Sequence, residues 1–82
     1  MEEPSAMSIY YFNIKADTFD AEDLEGEDCS DVETARAEAL VAAGALIRGE
    51  LRRGTLPGSG WIEVEDEHHR TVLRMPLRAA AS

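Results

Sequence analysis

Basic charge, cysteine and long apolar runs are all scarce in this chain of 82 residues, and each shortage closes off a class of function. Seventeen acidic residues stand against eight basic ones, a formal net charge of −9. Such a surface repels a phosphate backbone, so no nucleic acid is expected as a partner. The lone cysteine, Cys29, has no second thiol for an internal disulfide and suits a reducing compartment. No apolar stretch approaches the length of a membrane span, and no secretory leader is recognisable. The expectation is a cytoplasmic protein with no membrane partner.

Motifs that carry chemistry are missing as well. Residues 54–60, GTLPGSG, lack both the lysine and the following helix of a phosphate-binding loop. His68 and His69 are adjacent and Cys29 is far away, whereas zinc ligands favour spaced positions on ordered elements. Asp28 and Asp31 neighbour Cys29 and disfavour the thiolate that a nucleophile needs. No catalytic residue, metal site or cofactor is assigned, and the chain reads as a non-enzyme.

What the sequence does contain is a well-marked helix, expected over residues 30–53. Ser30 and Glu33 have the S-x-x-E spacing of a capping box. Asp31 and Glu33 complement the positive end of the helix dipole, and Arg48, Arg52 and Arg53 the negative end. Gly54 suits a left-handed stop, and Pro57 prevents resumption. On a helical wheel Leu40, Ala43, Ile47 and Leu51 form an apolar stripe, widened by Val32, Ala39 and Leu46. Gly44 and Gly49 either permit close packing or are merely tolerated. The helix also divides the charge. Ten acidic residues and one lysine precede Val32, whereas seven acidic and seven basic residues follow from it onward.

Around the helix, strands are expected at residues 9–15, 61–66 and 71–77, with a short one at about 18–22. In the first, Tyr10, Phe12 and Ile14 alternate with Tyr11, Asn13 and Lys15. Ile62 and Val64, then Leu73, Met75 and Leu77, supply the other inward residues. Pro76 places the end of the last strand at an edge. The implied fold is α+β: a small antiparallel sheet of three to four strands in β(β)αββ order, with one helix on one face. Residues 1–7 read as a disordered extension, 8–77 as a single domain and 78–82 as a disordered tail.

The chain resembles a family of short bacterial proteins classed as a domain of unknown function. The resemblance rests on Met7-Ser8-Ile9-Tyr10-Tyr11-Phe12, on Asp23-Leu24-Glu25-Gly26, on Asp31-Val32-Glu33-Thr34-Ala35-Arg36-Ala37-Glu38-Ala39, and on Ile62-Glu63-Val64-Glu65-Asp66 followed by Val72-Leu73-Arg74-Met75-Pro76. It spans about residues 7–77 and implies Met7 as the natural start. The last turn departs from the pattern, with His68-His69 where relatives carry Asp-Gly or Asn-Gly. The resemblance supplies no function.

Two groups of residues are candidates for a site. Tyr11, Trp61 and Val72 fall on the sheet face opposite the helix and form a candidate interaction face. Asp23, Glu25 and Gly26 form a candidate structural turn, in which a carboxylate accepts from backbone amides or pairs with Arg36. The leading expectation is a protein-interaction or regulatory module acting as a homodimer. One alternative is an antitoxin-like acidic partner masking a basic protein, an analogy of element order only. The other is a metal-binding or enzymatic role through the acidic loop 17–31, whose carboxylates do not follow the register of an EF-hand.

Overall fold

A computed structural model describes residues 7–17, 19–52, 54 and 59–80. In chain order the elements are β1 (Ser8–Ala16), β2 (Asp20–Ala21), β3 (Glu27–Cys29), α1 (Val32–Arg52), β4 (Gly60–Glu65), β5 (Thr71–Pro76) and a closing 3-10 turn at Leu77–Ala80. Every pairing is antiparallel. β1 has β4 along one edge, and on the other edge β2 and β3 at opposite ends. β5 lies beyond β4. The fold is α+β, and one of the five strands was not foreseen. β3 offers only Cys29 as an apolar residue, so nothing in its local pattern marks it as extended; its pairing with residues 8–10 of β1 does.

Alternation along the strands builds the core. Tyr10, Ile14, Ile62, Val64 and Met75 are buried, with Phe12 and Leu73 packed beside them. Residues of odd number in β1 point to the other face. The helix meets this core along a row four residues apart: Ala35, Ala39, Ala43 and Ile47. That row is rotated from the expected stripe. Leu40 and Leu46 sit at its two margins and Leu51 is 50% exposed. Small side chains let the helix backbone come close to the sheet, so the line of nearest approach passes through alanine rather than leucine.

Both ends of α1 have local causes. Asp31, not Ser30, is the cap: its Oδ1 accepts from the Thr34 amide at 2.8 Å and its carbonyl from the Ala35 amide at 3.0 Å. Ser30 Oγ instead lies 3.2 Å from Thr34 Oγ1, so the expected capping box is displaced by one residue. At the other end Gly54, at φ 82°, donates to the Leu51 carbonyl at 3.0 Å. Gly44 is a packing glycine: a Cβ there would stand 3.3 Å from the Ala80 carbonyl of the closing turn. That turn buries Leu77, so residues 77–80 are folded against α1 instead of opening a tail. Of the extension expected at 1–7, residues 1–6 lie outside the described residues, as do residues 81 and 82.

Candidate functional site

The face of the sheet turned away from α1 has no helix or strand packed on it among the described residues, although the loop of residues 23–26 lies against its Ile9, Tyr11 and buried Asn13 end. Register fixes its composition. Lys15 stands opposite Trp61, Asn13 opposite Glu63, Tyr11 opposite Glu65, and Glu63 in turn opposite Arg74. Trp61 is 43% exposed and carries the Arg74 guanidinium 4.5 Å above its ring centre. The same guanidinium lies 3.5 Å from a Glu63 carboxylate oxygen. A bulge at Val64/Glu65 leaves Val72 without a cross-strand partner and 40% exposed. The structure therefore brings Tyr11, Trp61 and Val72 to one face but not into one cluster. A polar band of Asn13, Glu63 and Arg74 lies between Trp61 and Tyr11. Ile9, 38% exposed, belongs to the same face, and plain alternation along β1 would have found it.

His69 is the other residue of this face that sequence reasoning missed. Asp66 organises its hairpin, accepting through Oδ1 from the amides of His68 (2.8 Å) and Arg70 (3.0 Å) and through Oδ2 from Arg70 Nε (3.2 Å). The His69 amide donates to the Asp66 carbonyl at 2.9 Å, and His69 then takes a left-handed φ of 62°. This is a three-residue hairpin loop with histidine at the position that usually demands glycine. Tertiary contacts offset the strain. The ring stacks on Tyr11 at 4.4 Å, and Nδ1 lies 3.1 Å from Glu65 Oε1. The amide bonds from Arg70 and His68 and the charge of Arg70, partly offset by desolvation, hold the Asp66 carboxyl below its ordinary range.

Between β2 and β3 the edge of β1 has no strand beside it, and Asp23 occupies the gap. Its Oδ2 accepts from the Phe12 amide at 3.1 Å, and its Oδ1 from the amides of Glu25 (3.2 Å) and Gly26 (3.1 Å). The Asp23 amide donates to Oδ1 of the buried Asn13 at 2.9 Å. One carboxylate thus serves three backbone donors. Gly26 has φ 76°, and a Cβ on it would meet Ile9 Cγ2 at 2.5 Å. The Glu25 side chain is exposed, and so is Arg36, which forms no ion pair or hydrogen bond with Asp23 or Glu25. In place of the expected pairing, the Asp23 carboxylate is turned to backbone donors. Arg36 lies outside the buried row of α1.

The acidic segment surrounds Cys29. Burial first, then Glu27, Glu38, Asp28 and Asp31, push its thiol above the ordinary range. Among the described residues no three of the His, Cys, Asp and Glu side chains come together as a metal site would require. Nor does any described helix have the length and apolarity to cross a membrane.

A family model described as a domain of unknown function, DUF6894, matches residues 9–78. No curated protein and no solved structure matches the chain significantly.

Proposed function

The chain belongs to the DUF6894 family, whose description assigns no activity, and on that premise we propose that it is a non-catalytic protein-interaction or regulatory module acting as a homodimer through the open sheet face. The observation that carries this reading is the face itself, which no helix or strand covers among the described residues and which bears Trp61, Val72 and Ile9 in partial exposure. Its charges suit self-association. Lys15 and Arg74 balance Glu63 and Glu65 there, although the whole chain carries −9. A two-fold axis through the face sets the basic residues of one copy against the acidic residues of the other. A chain of this length buries a modest share of its surface alone, and a second copy adds to it. The unpaired, buried Cys29 supports a cytoplasmic setting, and the resemblance to short bacterial proteins supports a bacterial one.

Sedimentation equilibrium and light scattering test the proposal. The expected result is a concentration-dependent dimer that Trp61→Glu converts to a folded monomer. A wild-type chain that stays monomeric at its highest soluble concentration, with Trp61→Glu indistinguishable from it, would overturn the reading.

A further inference from the structure

One apolar surface lies at the margin of the core, away from the open sheet face. It is a groove of about 410 Å³ between α1 and β2, floored by Phe12, Ile14, Ala21 and Leu46, with Ala45 on its helix wall and Glu22 at its rim. We propose that this groove docks a cationic amphipathic helix of another protein, with an apolar side chain of that helix seated on the floor and its basic residues against the rim. This proposal is independent of the homodimer.

The shape favours a helix. β2 is two residues long, so the sheet stops short and leaves Phe12 only half-buried, with the buried Ile14 beneath it. The helix wall is low, because its exposed groove residues, Ala42 and Ala45, are both alanine, and small side chains admit a close crossing of two helices. Val41, 68% exposed, is four residues before Ala45 and extends the apolar surface over the lip of the groove.

The charge selects the partner. Glu22 stands at one rim, and Glu38 lies seven residues before Ala45 on the same side of α1. Arg52, seven residues after Ala45, marks the end of the helix where the acidic rim stops. All of the net charge lies before Val32, the part of the chain that supplies β1 and β2. A second copy would bring the same carboxylates against each other, so this surface disfavours the self-association that the balanced sheet face permits.

Fluorescence anisotropy with a labelled amphipathic Leu/Lys helical peptide tests the proposal. A Leu/Glu peptide of the same pattern and a Ser/Lys peptide of the same charge serve as controls. The expected result is saturable binding of the Leu/Lys peptide alone, weakening with added salt. Ala45→Trp fills the groove from an exposed helix position and is expected to weaken binding roughly tenfold or more. Ala42→Trp, from the same wall, gives a second variant should the first perturb folding. Glu22→Gln with Glu38→Gln should weaken binding several-fold and flatten its salt dependence. Trp61→Glu should leave it unchanged, which separates this surface from the dimer face. The proposal is overturned if no saturable binding occurs, if the Ser/Lys peptide binds equally well, or if both tryptophan variants bind like wild type.

Discussion

Replacing Asp23 with alanine isolates what one carboxylate contributes to this fold. Three backbone amides lose their acceptor. The Glu25 amide is exposed and turns to water at little cost, but those of Phe12 and Gly26 are partly buried. A buried bond to a charged acceptor contributes about 1.5–3 kcal/mol net; partial exposure lowers these two to about 1–1.5 kcal/mol each, so the expected loss is about 2–3 kcal/mol. In a domain of this size that is a fall of about 10–20 °C in melting temperature. Asp23→Asn keeps one oxygen for the turn but presents an NH₂ group to the Phe12 amide, and should lose about half as much. Both variants remove the same charge from an already acidic molecule, so any general relief of repulsion cancels between them. Urea unfolding followed by circular dichroism measures the stabilities, and hydrogen exchange at the Phe12 amide reports the bond directly. An Asp23→Ala loss below about 0.5 kcal/mol, or equal losses for the two variants, would refute the reasoning.

Gly26→Ala combines a left-handed φ with a Cβ driven against Ile9, and should cost about 2 kcal/mol or more in the same urea assay. Cys29 is buried with its thiol raised by burial and by the surrounding carboxylates, so the native protein should react with a thiol reagent far more slowly than the unfolded chain; equal rates would contradict its placement. Asp31 and Asp66 have folded-state pKa values depressed chiefly by the amides of Thr34 and Arg70 respectively. Their contribution is therefore complete above the unfolded-state value of about 4 and fades as pH falls through the lower folded value. Acid titration of Asp31→Asn and Asp66→Asn should show a shallower loss of stability below about pH 4 than wild type, with no change in slope near neutrality.

The larger elements were legible because their signals are local and strong. Alternation in residues 9–15 and 61–66 found β1 and β4, and the cap, glycine stop and charge gradient bracketed the helix. What escaped reading depended on contacts distant in sequence. β3 is extended only because β1 pairs with it. The buried row of α1 could not be weighed correctly by hydrophobicity, since close approach selects small side chains and sends Leu51 outward. The cap moved from Ser30 to Asp31 because either side chain could serve, and local pattern does not choose between adjacent candidates. His69 at a positive φ went unread for the same reason: Tyr11, 58 positions away, supplies the stacking that makes it tolerable. At the candidate face the sequence identified Tyr11, Trp61 and Val72, but the polar band that separates them follows only from strand register.

Asp23 has a consequence for how this protein meets its own kind. A bare stretch of ladder on β1 would be a template on which a strand from another molecule could be laid. The carboxylate fills that stretch, and the loop around it is too acidic to welcome a copy of itself. On the opposite side β5 has no strand neighbour among the described residues, but it is kinked by the bulge beside Val72 and ends at Pro76, which has no amide to offer. Neither the gap in β1 nor the Pro76 end of β5 offers a continuous ladder for extension. In the proposed homodimer, copies meet face to face in closed pairs that stop growing instead of in open-ended stacks.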